Sequence, residues 1–198
     1  VSQYFPLVLA SSSSIRQKIL RSAGLKFTIC VPAVDETAIK TENRHLSPSA
    51  LVEVLATAKA LRPNLPNDAL VLAGDQVLEL DEVALDKVKT MEEARDRLWS
   101  LRGREHFLTG STVLAQAGKV LWAHNHRSKL QMLKFSEQTL DELLRQTGKK
   151  ILASVGCYEL EAEGIRLFET IDHDYTAMLG LPILPVLAAL REFGGLKR

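Results

Sequence analysis

Leu7–Leu20, LVLASSSSIRQKIL, decides how the rest of the chain is read. Leu7, Val8, Leu9 and Ala10 form a short apolar run that predicts a buried strand. Four serines, Ser11 to Ser14, follow it. Ile15, Ile19 and Leu20 then recur at helical spacing among Arg16, Gln17, Lys18 and Arg21, and Ala23-Gly24 ends the helix. A strand, a hydroxyl-rich turn and a helix N-terminus together make an anion site. The first helical N–H groups lack partners within the helix, and the positive end of the dipole faces the turn. Serine hydroxyls add donors, and Arg16 can grip a phosphate through two N–H groups. A plainer reading stays open: Ser13 or Ser14 only caps a surface helix, and Arg16 is solvated. The stretch is not a P-loop, because no glycine-rich run ends in Lys-Ser/Thr.

The chain has 198 residues, 46% hydrophobic and 25% charged, enough for one sizeable core or one domain with two lobes. A formal charge of +1 gives no reason to expect a nucleic acid or an acidic membrane as partner. Any phosphate chemistry must come from a local cluster. Cys30 and Cys157 form neither a CxxC nor a zinc spacing and read as reduced thiols. No apolar run reaches the length of a membrane span, and VSQYFPLVLASSSS lacks the basic region of a signal peptide. The expectation is a cytoplasmic protein.

Beyond the first helix, Phe27–Val31 predicts a strand ended by Pro32, with Val34-Asp35-Glu36-Thr37 at its exit and a polar loop over 41–47. Ser47 and Pro48 open a helix to about Leu61 that carries Lys59 near its end. Pro63 and Pro66 break the chain. Ala69–Gly74 is a second buried strand, with Asp75-Gln76 just past its core and Val77–Leu80 extended. Residues 81–89 form a turn and short strand carrying Asp86-Lys87. Thr90 and Glu93 form a capping box for a helix that stops at Gly103. Residues 107–117 and 120–123 read as a hairpin across Gly118-Lys119, and 131–135 as a further strand. Ser136 caps a helix to about Thr147, 165–171 is a strand, and a last helix follows Pro182. Interleaved strands and helices predict an α/β protein, and the hairpin makes the sheet mixed. No linker separates two domains, so 1–198 reads as one domain, with a break near 119–136 between lobes.

Carboxylates at strand ends are where α/β folds place chemistry, and Asp75 and Glu36 both fit that description. Two carboxylates suit Mg²⁺ or Mn²⁺ bridging to phosphates, or a general base. Lys59, Lys87 and Arg16 are candidate phosphate clamps. Each of these residues, taken alone, reads as a turn or solvated surface residue, and only their convergence would make a site. His124 and His126 share one side of a strand but lack further metal ligands, and read as solvated or structural. Cys157 has no activating histidine and reads as inert.

ASSSSIR (10–16), VDE (34–36), ATAKA (56–60), GDQ (74–76) and DK (86–87) have the order and spacing of the Maf-like nucleotide pyrophosphatases, and GCYELEAEGIRLFETIDHDYTAMLGLP (156–182) fits their C-terminal half. The chain resembles that family over nearly its whole length. The resemblance implies a mixed, twisted sheet flanked by helices, with a deep cleft between two lobes, similar to inosine-triphosphate pyrophosphatases. It implies hydrolysis of a nucleoside triphosphate to the monophosphate and pyrophosphate with a divalent metal, as house-cleaning of the nucleotide pool. By this resemblance Asp75 is the catalytic carboxylate and Glu36 the metal- or water-positioning acid. Asp75 and Glu36 together would hold the metal. Ser11, Ser13, Arg16, Lys59 and Lys87 would bind phosphate, with Lys87 counted in the catalytic set. Ile15, Gln76 and Glu161 fall at base-selecting positions.

Gln76 with Glu161 is similar to the 7-methyl-GTP type, whereas dTTP/UTP-type members have Thr and Gln there. Glu161 would accept from a guanine N1–H and N2 amine. The chain departs from the family pattern at Ser14 (Pro), Ile15 (aromatic or basic), Glu82 (Gly) and Val88 (Pro). A dTTP/UTP pyrophosphatase, a non-catalytic nucleotide-binding regulator of cell division, and a homodimer all stay open.

Overall fold

The computed structural model describes residues 3–31, 33–62 and 67–197. The expectations placed on Pro32, Pro63 and Pro66 lie outside these residues. The strands are β1 (Leu7–Leu9), β2 (Thr28–Ile29), β3 (Leu70–Leu80), β4 (Val83–Leu85), β5 (Glu105–Gln116), β6 (Lys119–Met132) and β7 (Phe168–Ile171). The α-helices are α1 (Ser14–Ser22), α2 (Glu36–Glu42), α3 (Pro48–Ala60), α4 (Met91–Leu101), α5 (Glu137–Thr147), α6 (Tyr175–Met178) and α7 (Ile183–Glu192). Strand order is β2-β1-β3-β5-β6-β7, with β4 paired to β3. Strand β1 is parallel to both β2 and β3, while β3/β4 and β6/β7 are antiparallel, so the sheet is mixed, as the interleaving predicts.

The chain forms two compact units interleaved in sequence. One contains 1–76, 109–127 and 174–198, and the other 77–108 and 128–173. The boundary between 127 and 128 falls inside β6, so no loop separates the units there.

In the first unit the side chains of β3 alternate between two cores, as period 2 requires. Leu70 and Leu72 join Leu7, Leu9, Leu20, Leu114 and Leu190. Ala69, Val71 and Ala73 join Val8, Ala56, Ala60 and Val113, small side chains that let α3 lie close to the sheet. Helix α1 begins where expected, with Ser13 as N-cap accepting from the Arg16 N–H. Helix α3 likewise starts with Ser47 and Pro48.

Three expectations are corrected here. Residues 36–42 are helix α2, capped by Asp35, rather than a strand exit and loop. Strand β3 runs unbroken through Asp75 to Leu80. Strand β2 is only Thr28–Ile29 and exposed.

The second unit contains the Thr90–Glu93 capping box, with both of its hydrogen bonds made. Ala94, Leu98, Leu101, Leu130, Met132, Leu140 and Ile151 are among its buried residues. Asp81 and Glu82 form the two-residue turn between β3 and β4, both with positive φ (51° and 64°). That is the type I′ pattern that glycine suits best, and it explains why a glycine is expected where Glu82 stands. His106 Nε2 meets the Tyr158 hydroxyl at 2.9 Å in a buried aromatic group with Phe168. Strand β6 is continuous, where two separate strands at 120–123 and 131–135 are expected. The β5–β6 turn is Ala117-Gly118, one residue earlier than the sequence reading places it.

Candidate active site

The alternation of β3 explains the site. Asp75 continues the row of Ala69, Val71 and Ala73, the face covered by α3, and meets Lys59 of α3. Gln76 continues the other row and meets α6. Strand β1 stops at Leu9, opposite Leu72, while β3 goes on. Asp75 therefore lies inside its own strand but three residues beyond its last β1 partner. The expected end-of-strand position is corrected: it is the neighbouring strand that ends.

Lys59 Nζ stands 2.5 Å from Asp75 Oδ1 and 2.9 Å from Glu36 Oε1. One ammonium thus bridges two carboxylates, one on β3 and one in the first turn of α2. Lys59 and Asp75 side chains are each 11% exposed, whereas Glu36 is 46% exposed. The Lys59–Asp75 bond is accordingly the well-shielded half of the bridge, and the Glu36 half is open to water.

Beside this bridge lies the serine turn. Ser11 Oγ accepts from the Ser13 N–H (3.2 Å) and from Arg16 Nη1 (3.3 Å). A hydroxyl has two acceptor positions and one donor, so these bonds leave the Ser11 O–H to donate elsewhere. Ser13 Oγ is held as the helix cap. Arg16 Nε donates to the Gly180 carbonyl at 2.9 Å, which ties the start of α1 to the turn after α6. Burial lowers the Arg16 pKa, and the neighbouring Asp75 and Glu36 carboxylates oppose that shift. The guanidinium stays charged, because arginine does not lose its proton in proteins. Two cations and two carboxylates therefore share this corner.

Gln76 donates its amide hydrogens to the Ala177 and Met178 carbonyls (3.1 and 3.2 Å), leaving Oε1 as an acceptor. Ile15 is partly buried and packs against the Leu7–Leu190 core. His126 lies on Gly110: a Cβ at Gly110 would come within 2.6 Å of the imidazole and 3.0 Å of the Asp75 carbonyl. Desolvation pushes the His126 pKa down to about 4, His124 and Arg16 push the same way, and Asp174 and the Ala177 backbone oppose. His126 is a neutral, packed ring.

The first unit thus brings together Ser11, Ser13, Arg16, Glu36, Lys59, Asp75 and Gln76. Lys87 and Glu161 belong to the second unit. Lys87 lines an open recess of about 560 Å³ with Asp86, Glu93 and Arg97. Glu161 is exposed in a turn. Burial pushes the Cys157 thiol up to about 11, in keeping with an inert side chain.

The Gly180, Ala177 and Met178 carbonyls are site features that the sequence reading passed over. Their signal was the short capped segment: Asp174 accepts from the Ala177 N–H, and Gly180 takes φ +90° before Pro182.

The donor set suits a hard divalent cation. Asp75 and Glu36 are close enough to share one cation, and both offer oxygen. No group of three or more His, Cys, Asp or Glu gathers among the described residues. The protein would supply two ligands at this point, the number magnesium commonly takes when phosphates and waters complete its shell.

A family model described as Maf-like protein matches residues 6–193. The chain belongs to the Maf-like family. A nucleoside triphosphate pyrophosphatase of Maricaulis maris (strain MCS10) is 44% identical over 96% of this chain and 98% of its own length. A 7-methyl-GTP pyrophosphatase of Rhizobium meliloti (strain 1021) is 40% identical over 96% and 97%. A solved HAM1 protein from Coxiella burnetii superposes with TM-score 0.44 at 18% identity, over 67% of this Maf-like chain and 75% of that one. Among the described residues no helix is long and apolar enough to cross a membrane.

Proposed function

We propose that this Maf-like chain hydrolyses a modified nucleoside triphosphate, of the 7-methyl-GTP kind, to the monophosphate and pyrophosphate. The supporting observation is the Lys59 bridge between Asp75 and Glu36, beside the Ser11–Arg16 anion turn, in a chain whose relatives bear pyrophosphatase names. A water oxygen bonds to the α-phosphorus, the bond to the α–β bridging oxygen breaks, and pyrophosphate leaves. Asp75 takes the proton of the attacking water. The Ser11 hydroxyl, the free N–H groups of Arg16 and the N-terminus of α1 hold phosphate oxygens. Asp75 and Glu36 would hold Mg²⁺ or Mn²⁺, which when bound neutralises phosphate charge.

Gln76 Oε1 is left as an acceptor, which can take the N1–H of guanine or the N3–H of uracil or thymine, so the guanine-type base rests on the resemblance of the Gln76 and Glu161 pair. Lys87 and Glu161 enter this reading through the family resemblance alone. A cytoplasmic enzyme acting on free nucleotides, without a nucleic-acid partner, completes the proposal, and a homodimer is compatible with it.

The test is a panel of 7-methyl-GTP, GTP, ITP, UTP and dTTP with Mg²⁺ or Mn²⁺, read as pyrophosphate released. Highest kcat/KM on 7-methyl-GTP is expected. Preference for UTP or dTTP would overturn the base assignment. Tight triphosphate binding with no pyrophosphate release would leave a nucleotide-binding regulator.

A further inference from the structure

The ammonium of Lys59 stands where two carboxylates converge, and those are the oxygens a divalent cation would need. An ammonium already on Asp75 Oδ1 and Glu36 Oε1 repels a divalent cation brought to the same two carboxylates, so the two cations compete there through their charge. Among the described residues Lys59 is the group that neutralises Asp75 and Glu36 by direct contact. Arg16 acts on the same two carboxylates through its field, but its own bonds go to Gly180 and Ser11. The two cations thus have different duties: Arg16 is anchored, whereas Lys59 is bound through its terminal nitrogen at the end of a flexible stem.

We infer that Lys59 is an internal place-holder for the divalent metal, which occupies the Asp75–Glu36 pair until a triphosphate offers the ammonium another anion. The inference rests on the pyrophosphatase reading for its triphosphate, but the competition at the carboxylates stands on geometry. Lys59 leaves the exposed Glu36 first, because that half of the bridge is solvated, and Asp75 second. Phosphate oxygens take over the ammonium as the carboxylates turn to the metal. Metal and triphosphate then favour one another's binding, and by linkage the effect is mutual. The arrangement keeps a bare metal ion from holding the site in a nucleotide-free enzyme.

The experiment titrates Mn²⁺ alone into the nucleotide-free full chain and reads free Mn²⁺ by electron paramagnetic resonance. Wild type is compared with Lys59→Met, Lys59→Arg and Arg16→Met. Lys59→Met should bind Mn²⁺ roughly 5–150-fold tighter than wild type, the usual range of such coupling. Lys59→Arg, which keeps a cation there, should stay near wild type. Arg16→Met should tighten binding clearly less than Lys59→Met. Equal tightening by Arg16→Met would show a general charge effect and overturn the inference, as would unchanged Mn²⁺ affinity in Lys59→Met. If Lys59→Met does not fold by circular dichroism, Lys59→Gln replaces it under the same criteria. Failure of the pyrophosphatase reading shows separately, as absence of pyrophosphate release by wild type. The Mn²⁺ comparison is read without any turnover.

Discussion

The two units treat polar side chains in opposite ways. In the first, four charged groups crowd together around β3, and the sheet face beside them is lined with alanine and valine. In the second, the buried pair His106–Tyr158 carries no charged partner: His106 Nε2 meets the Tyr158 hydroxyl beside the Phe168 ring, and His106 Nδ1 is buried without a partner among the described residues. Buried charge near other charge is weak evidence for stability, because desolvation offsets the attraction. A neutral hydrogen bond among rings costs a core far less than buried charge does, even with one ring nitrogen left unpaired. The first unit therefore carries the marks of a site and the second, at this point, those of a scaffold. The contrast can be broken most sharply at Asp75. Asp75→Asn keeps the shape and an oxygen for Lys59 but cannot take a proton. We expect pyrophosphate release to fall about a thousandfold, within the range typical of a lost general base, while a calorimetric triphosphate Kd moves only a few-fold. Wild-type turnover in this variant would remove Asp75 from the chemistry.

Much of this contrast was legible in the sequence, but unevenly. Ser13 as cap, the Thr90–Glu93 box and the Ser47-Pro48 helix start depend on contacts within four residues, which local sequence encodes. The sequence marks Asp75 as a residue of chemical interest but not its place within β3. A carboxylate after an apolar run reads as a strand end, whereas here β1 stops and β3 continues. Helix α2 is hard to see in the sequence because none of its residues is buried, so it has no apolar stripe to read. Strand β6 reads as two pieces in the sequence because its middle, His124 to Lys129, is largely polar, and its extension comes from pairing with neighbours. The bridging position of Lys59 was out of reach, since it depends on α2 and β3 both meeting α3.

The next effect is on acid stability, and both units share it. Burial holds His106 and His126 at pKa values of about 4, against an ordinary value of 6.5. The unfolded chain takes up protons on these rings below pH 6.5, and the folded chain does not until about pH 4. Folding stability therefore falls as the pH drops across that window and is unaffected by these rings above it. Between pH 7 and pH 5 the loss should be about 2 kcal/mol for each histidine, an upper figure from the linkage relation. Urea midpoints at pH 7, 6 and 5 measure it, and a flat profile would mean that neither ring is kept neutral by the fold. His126→Ala should shallow the slope, and Tyr158→Phe should leave the His126 share intact.

Gly110→Ala tests how tightly the first unit is built around Asp75. The added methyl would press on the His126 ring and on the Asp75 carbonyl, and the carbonyl belongs to a strand that cannot yield alone. Overpacking of this kind typically costs about 1–3 kcal/mol. The thermal midpoint should drop, and turnover should drop with it if β3 shifts. His126→Ala in the same chain makes room on one side, so the double variant should recover part of the stability but not all. Full recovery would show that the contact with Asp75 contributes nothing.

Glu82→Gly probes the second unit in the reverse direction, by giving a glycine to a backbone that asks for one. Asp81 and Glu82 both have positive φ, and Glu82, at 64°, takes the position of the type I′ turn where Asp-Gly is the favoured pair. A side chain there crowds its own backbone, at roughly 1–2 kcal/mol in the left-handed region. Glycine removes that strain but adds freedom to the unfolded chain, an opposing effect of about 0.5–1 kcal/mol. The difference should leave Glu82→Gly more stable than wild type by about 0.5 kcal/mol, read as a small upward shift of the urea midpoint with unchanged slope. Kinetics should not move, since the turn joins β3 to β4 and contains none of the residues assigned to the reaction. A stability gain without a rate change would confirm that the second unit has slack at this turn, whereas the neighbourhood of Gly110 in the first has none. A loss of stability would mean instead that the Glu82 side chain makes up for its backbone strain, and the contrast between a strained scaffold turn and a tightly packed site would have to be redrawn.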